Sequence, residues 1–313
     1  MKHLTTLETW SSAELSEILD RADHIKAHPD EYRDAMRRKT LLMIFEKPSL
    51  RTRVSFETGA TQMGGHAIFY DLANSPLSAG KENVADLVRV VSRYVDIIMG
   101  RLFEQAHIEE MARLASVPVI NALTNYEHPC QILADLQTIR EKKGRLKGLK
   151  LAFLGDGNNN VTHSLLFGCA KFGIDIYVGC PKGEEYEPLP HVVSAARKFA
   201  RKNGSNVAVT SDAAEAARGA DVIYTDSWMS YHIPAHKMES RVKVFMPYQV
   251  NARLMRVAKR DAIFMNCLPA MRGYEQTAEV IDGPQSVVFD QAENRLHTQK
   301  AIMLYLLESR GAR

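Results

Sequence analysis

Cysteine is scarce in this chain of 313 residues: there are four, Cys130, Cys169, Cys180 and Cys267. They are scattered and form no CxxC pair, so neither a disulfide framework nor a structural zinc site is suggested. A reducing, cytoplasmic compartment fits this usage. Long apolar runs are missing too. The longest, such as 41–45 and 117–120, are strand-sized and fall far short of the roughly 20 residues of a membrane span. The N-terminus, Met1-Lys2-His3-Leu4-Thr5-Thr6, lacks the apolar core of a secretory signal. Neither charge sign dominates: 40 Lys+Arg stand against 37 Asp+Glu, a formal charge of +3. So small a balance makes no case for nucleic acid as a partner.

What is present is ordinary globular material. Hydrophobic residues make up 45% and charged residues 25%, enough for a sizeable core, and disorder is excluded. The length suggests about two domains. Along the chain, helical periodicity alternates with short apolar runs. Residues 12–26 place Leu15, Ile18 and Leu19 on one helical face. Strand-like runs at 41–45, 67–70, 96–99 and 117–120 alternate with helical stretches at 54–62, 83–94, 105–115 and 128–143. After the charge run Glu141-Lys142-Lys143 and Gly144 the pattern restarts. Strands are expected at 151–154, 174–178, 207–209, 222–224 and 263–265, and helices at 161–172, 191–202 and 293–307. Such alternation predicts an α/β fold of two doubly wound, Rossmann-like parallel-sheet domains linked by helices. The expected division is 1–145 with the C-terminal helix 291–313, against 146–290.

Open parallel sheets bind ligands beyond the carboxyl ends of their strands, so the residues after each expected strand are the candidates. They are Ser49-Leu50-Arg51-Thr52-Arg53, then Arg101, His128-Pro129-Cys130-Gln131, Gly155-Asp156-Gly157-Asn158-Asn159-Asn160, Asp226-Ser227-Trp228-Met229-Ser230 and Asn266-Cys267-Leu268-Pro269. All are expected on one edge of the sheets, facing a common cleft. The first segment combines a helix start, hydroxyls and guanidinium groups, which suits an anion. His128 and Gln131 lie one turn apart and can both donate to a carbonyl oxygen. The glycine-rich segment is an incomplete dinucleotide fingerprint: Asn160 stands where the third glycine belongs, and no acidic residue follows the next strand. A dehydrogenase reading is therefore weak, whereas Asn amides suit a zwitterionic ligand.

Together these motifs resemble the aspartate/ornithine carbamoyltransferase family. Ser49-x-Arg51-Thr52-Arg53 is similar to its carbamoyl-phosphate signature, and Arg101 and His128-Pro129-Cys130-Gln131 match its further phosphate and carbonyl contacts. Asn266-Cys267-Leu268-Pro269 resembles the HCLP of the ornithine branch, with Asn in place of His. Pro247-Tyr248-Gln249-Val250-Asn251 and Glu293-Asn294-Arg295-x-His297 also match. The resemblance implies transfer of a carbamoyl group from carbamoyl phosphate to an amine, ornithine first, without cofactor or metal. It assigns Ser49, Leu50, Arg51, Thr52, Arg101, His128, Gln131 and Arg295 to carbamoyl phosphate, with Lys81 from a neighbouring subunit. Asn160, Asp226, Ser230, Tyr231, Cys267 and Leu268 are left for the amine. Arg51, Arg101, His128, Cys267 and Arg295 carry the chemistry. The family's unit implies a homotrimer or a multiple of trimers, and arginine biosynthesis as the setting. Two departures bear on the amine: Tyr231-His232 follow Ser230 where the family has Met-Gly, and the loop 75–82 lacks the usual Gln. They keep two alternatives open, another diamine or diamino acid such as putrescine or lysine, and a catalytically silent regulatory paralogue.

Overall fold

The computed structural model describes residues 1–72, 75, 81–230 and 233–311. The chain forms two compact units, one of Met1–Gln137 with Glu293–Arg313 and the other of Thr138–Ala292. The first unit opens with α1 (Ser12–Ala27), capped by Ser11, whose hydroxyl accepts from the Glu14 N–H while the Glu14 carboxylate reaches back to the cap. This reciprocal arrangement satisfies two of the donors a helix start leaves unpaired. There follow β1 (Thr40–Phe45), α2 (Leu50–Gln62), β2 (His66–Asp71), α3 (Val84–Val91), β3 (Ile97–Arg101), α4 (Gln105–Leu114), β4 (Val119–Leu123) and α5 (Pro129–Lys143), whose residues from Thr138 onward belong to the second unit. The strands are parallel, in the order β2-β1-β3-β4. β1 and β3 are buried almost throughout, as strands covered on both faces must be. Leu42, Ile44, Ile98, Leu87, Ile108 and Val119 share one core.

The second unit contains β5 (Lys150–Leu154), α6 (Asn160–Phe172), β6 (Asp175–Gly179), α7 (Pro190–Asn203), β7 (Val207–Thr210), α8 (Ala213–Ala217), β8 (Val222–Tyr224), α9 (Met238–Phe245), α10 (Ala252–Val257), β9 (Ile263–Met265) and α11 (Ala278–Ile281). Its parallel order is β7-β6-β5-β8-β9. The last helix, α12 (Val288–Gly311), carries the chain back into the first unit. The expected α/β class with two parallel sheets is what the structure shows.

Several boundaries differ from the sequence reading, for local reasons. α2 begins at Leu50 rather than 54, because the Ser49 hydroxyl accepts from the Thr52 N–H at 3.2 Å; such a cap is worth about 1 kcal/mol. β4 spans Val119–Leu123 rather than 117–120, and Pro118, just before it, has no N–H to give a ladder. α12 starts five residues earlier than the periodicity predicts, at Val288. The run 67–70 is a strand as expected, but β2 is the sheet's edge and much of it is exposed. Four short helices, α8 to α11, escape notice because their lengths give little room for a 3.6-residue period.

Each sheet has one place where the strand order reverses. In the first it lies between β1 and β3; in the second, between β5 and β8. Crevices form at such points; Arg51 and Asp226 follow β1 and β8, and Arg101 ends β3, while His128 and Cys267 follow the adjoining strands β4 and β9.

Candidate active site

At the first reversal, β1 and β3 end level, Phe45 against Arg101. The Glu46 N–H donates to the Arg101 carbonyl at 3.0 Å, and the Glu46 carboxylate accepts from the Phe103 N–H at 2.6 Å. These bonds fix the strand end from which the buried Arg101 side chain starts. Opposite it stands the first turn of α2, whose leading N–H groups have no partner within the helix. Leu50 is its first residue and is 74% exposed, which leaves its backbone N–H as the group it can offer the site. Thr52 is buried, and its hydroxyl oxygen accepts from two guanidiniums, Arg295 at 3.2 Å and Arg101 at 3.5 Å. A hydroxyl that accepts twice still has its own proton to donate. Arg295, on α12, also donates to the Gln131 amide oxygen at 2.7 Å, and the Gln131 amide donates to Asp135 at 2.8 Å. Among the described residues Arg51, half-buried beside this group, has no side-chain partner.

His128 precedes α5, and its carbonyl accepts from the Gln131 and Ile132 N–H groups. Its turn is held from behind: the Thr124 N–H donates to the Glu127 carbonyl, and the buried Glu127 carboxylate accepts from the Thr6 hydroxyl and the Leu7 N–H. Burial first, then the cations Arg295, Arg101, Lys47 and Arg51, hold the His128 imidazole well below its ordinary pKa. It is therefore neutral near pH 7, able to donate from one ring nitrogen without carrying charge. Lys47, which the sequence reading passed over, is buried and donates to Asn125 at 3.0 Å. Burial and the neighbouring Arg101 push its pKa down to about 8. The first unit thus concentrates positive charge, helix N–H groups and a neutral imidazole around one strand end, a constellation suited to a phosphorylated ligand carrying a carbonyl.

At the second reversal, Asp226 follows β8 and Asn159 caps α6. The Asn159 amide oxygen accepts from the Val161 N–H at 2.7 Å, which turns its nitrogen toward the Asp226 carboxylate at 3.1 Å and the Ser230 hydroxyl at 3.5 Å. The Cys267 thiol, after β9, donates to the other Asp226 oxygen at 3.1 Å. Leu268 follows with a left-handed φ of 56° and a cis peptide bond to Pro269. The motif points to Asn160 for the amine. The structure places Asn160 as the first residue of α6, half-buried, and brings Asn159 to Asp226. The Asp156 carboxylate is paired with Arg241, both buried. Arg241 also donates to the Trp228 carbonyl at 2.8 Å, tying the β5–α6 turn to the segment that carries Ser230. Tyr231 and His232 lie outside the described residues, as do 73, 74 and, within the loop 75–82, residues 76–80. Lys81 is exposed, two residues before the Asn83 cap of α3. Among the described residues no cluster of three or more His, Cys, Asp or Glu side chains is arranged to hold a metal ion. No helix among them is long and apolar enough to cross a membrane.

Residues 2–141 match the carbamoyl-P binding domain of aspartate/ornithine carbamoyltransferase, and residues 147–306 match the Asp/Orn binding domain of the same family. The chain belongs to the aspartate/ornithine carbamoyltransferase family. Within this family it is similar to proteins named ornithine carbamoyltransferase. It is 51% identical to the one from Bacillus subtilis over 98% of this chain and 94% of that protein. It is 53% identical to the one from Methanothermobacter thermautotrophicus over 98% and 99%. Among solved structures, ornithine carbamoyltransferase from Pyrococcus furiosus superimposes with a TM-score of 0.93 at 46% identity, covering 98% of this chain and 97% of that one.

Proposed function

We propose that this chain transfers the carbamoyl group of carbamoyl phosphate to the side-chain amine of ornithine, giving citrulline and phosphate. The observation that carries the anion half is the buried Arg101–Thr52–Arg295–Gln131 array around the capped start of α2. Arg51, Arg101 and the α2 N–H groups, with Ser49 as cap, neutralise the phosphate. Lys81 is assigned to the phosphate site of a neighbouring subunit. His128, the Thr52 hydroxyl and Arg295 donate to the carbonyl oxygen, on which negative charge grows as the amine attacks. The amine nitrogen forms a bond to the carbonyl carbon, the carbon–oxygen bond to phosphate breaks, and the departing phosphate takes the amine's surplus proton.

The amine half rests on the Asp226 carboxylate, held by the Asn159 amide and the Cys267 thiol. Asp226 and Cys267 orient the acceptor, with Ser230 and Leu268 around it; Asn160 is assigned to its carboxylate end, and Tyr231 to the same acceptor by its place in the motif. The high identity to proteins named ornithine carbamoyltransferase favours ornithine over putrescine or lysine, and catalysis over a silent role.

The assembly is a homotrimer or a multiple of it. In support, the first unit exposes an apolar surface on neighbouring elements: Leu50 and Val54 on α2, and Ile68 and Phe69 on the edge strand β2. Such surfaces mark contact with another protein chain. A cytoplasmic role in arginine biosynthesis fits this chemistry. The test is citrulline formation from carbamoyl phosphate with a panel of ornithine, lysine, putrescine and N-acetylornithine. Ornithine must win by kcat/KM; a preference for putrescine overturns the acceptor, and no turnover with any amine overturns the enzyme.

A further inference from the structure

We propose that Asn266 is a positioning residue: its side-chain amide locks the backbone at Leu268 and so presents the Cys267 thiol to Asp226. The role in turnover rests on the ornithine reading above; the lock itself rests on geometry alone.

Asn266 directly follows β9 and is fully buried. Its amide oxygen accepts from the Leu268 N–H at 2.8 Å, closing a turn over two residues. Its amide nitrogen donates to the Gln276 amide oxygen at 3.0 Å, and the Gln276 nitrogen donates to the Met271 carbonyl at 3.3 Å. The Asn266 backbone N–H donates to the Gln291 amide oxygen at 3.0 Å, while the Gln291 nitrogen donates to the Tyr224 hydroxyl at 3.0 Å. Tyr224 ends β8, two residues before Asp226. One connected set of hydrogen bonds therefore links the ends of both strands that carry the amine half.

Cys267 sits between the anchor and its latch. Leu268 has a φ of 56°, a conformation that a side chain of its shape seldom adopts unless the surroundings impose it. The Asn266 oxygen is the group that captures the Leu268 N–H there. Without it, the backbone at 268 is free to relax to ordinary angles, and Cys267 swings with it away from the Asp226 oxygen 3.1 Å distant. In the motif this segment resembles, His stands at this position. An imidazole loses its acceptor on protonation, whereas the Asn amide does not titrate.

The test uses the full chain with Asn266→Ala and Asn266→Ser. A Ser hydroxyl can accept from the N–H two residues on, as Asn does but more weakly, and is too short to replace the bond to Gln276. Two readouts are taken. One is steady-state KM for each substrate. The other, independent of turnover, is the rate at which iodoacetamide adds to Cys267, followed by mass; the other three cysteines are buried. Asn266→Ala should raise the ornithine KM about tenfold, the loss of one well-made hydrogen bond, and leave the carbamoyl-phosphate KM within about twofold. It should also speed Cys267 alkylation severalfold, because the thiol is released from Asp226. Asn266→Ser should recover much of both. Unchanged alkylation in a folded Asn266→Ala protein overturns the lock. So does equal impairment of the Ser and Ala variants, which would make the Gln276 bond the one that matters. If Asn266→Ala does not fold, the Ser variant decides: native-like alkylation supports the latch and fast alkylation overturns it. If the native chain does not turn over ornithine, the function fails but alkylation still judges the lock.

Discussion

The Cys267 sulfur lies 3.1 Å from Oδ1 of Asp226, while Oδ2 of the same carboxylate accepts from Asn159 at 3.1 Å. The two donors come from different loops, one after β9 and one at the start of α6. The negative charge of a carboxylate suits a cationic or developing cationic amine. Asp226→Asn keeps the shape and removes that charge. It should raise the ornithine KM by about ten- to a hundredfold, the worth of one charged hydrogen bond, with little change for carbamoyl phosphate. Steady-state kinetics with each substrate varied in turn would check this; equal effects on both substrates would displace Asp226 from the amine half.

In the proposed phosphate half, Arg51 is a guanidinium with no side-chain partner among the described residues. Arg101 and Arg295, by contrast, already share Thr52. Arg51→Ala should therefore weaken carbamoyl-phosphate binding without disturbing the fold. Calorimetry should show a loss of roughly 1.5–3 kcal/mol in binding and an unchanged melting temperature. Unchanged affinity would mean the phosphate sits elsewhere.

The strand-end residues of both halves were legible in the sequence. Arg51, Arg101, His128, Asp226 and Cys267 all follow apolar runs, and parallel sheets gather such positions on one edge. Arg295 was legible only through its motif, since it comes from a helix 164 residues beyond the Gln131 it touches. Asn159 was missed by one position: which of three consecutive Asn residues caps α6 depends on where the helix starts, and periodicity does not fix that. Lys47 and Arg241 carry no motif signal, and residues of their type usually lie at the surface. Their burial depends on partners that a linear pattern does not bring together, Asn125 for one and Asp156, 85 residues away, for the other.

Lys47 makes a pH-dependent prediction with two opposite signs. Its pKa in the fold is about 8, against 10.5 ordinarily. Below about 8 it is charged in both the native and unfolded chains. Between about 8 and 10.5 the native chain binds fewer protons than the unfolded one, so this group's contribution to stability rises with pH there. Carbamoyl-phosphate affinity should move the other way, because the anion site loses one positive charge as pH rises through the same value. Binding titrations from about pH 7 to 9.5 should show this fall. Lys47→Met should bind more weakly at pH 7 and lack the limb near 8. An identical limb in the variant would assign it to another group.

The Asp156–Arg241 pair is buried on both sides. Removing one partner of such a pair strands the other in the interior. Arg241→Met should cost about 3–5 kcal/mol in denaturant unfolding, and the double variant with Asp156→Asn should regain a large part. Strict additivity of the two single losses would show that the ions are not coupled.

β2 is an edge strand whose Ile68 and Phe69 are exposed, and the Arg53 guanidinium lies 3.9 Å from the Phe69 ring centre. An uncovered apolar edge invites pairing with other chains. A stable interface needs about 800 Å² from each partner, more than these side chains supply alone, so α2 with Leu50 and Val54 must contribute. Charges placed there would be desolvated on assembly. Ile68→Glu with Phe69→Glu should therefore convert the assembly to monomers in analytical ultracentrifugation, while circular dichroism shows each chain still folded. If Lys81 completes a neighbour's site, the monomers should also lose activity. Inactive Arg51→Ala and Lys81→Ala chains, dissociated and mixed, should recover part of it, because some mixed sites would contain neither substitution. A native chain that sediments as a monomer would remove the shared-site idea. A trimer whose mixed variants recover nothing would keep the assembly and remove Lys81 from it.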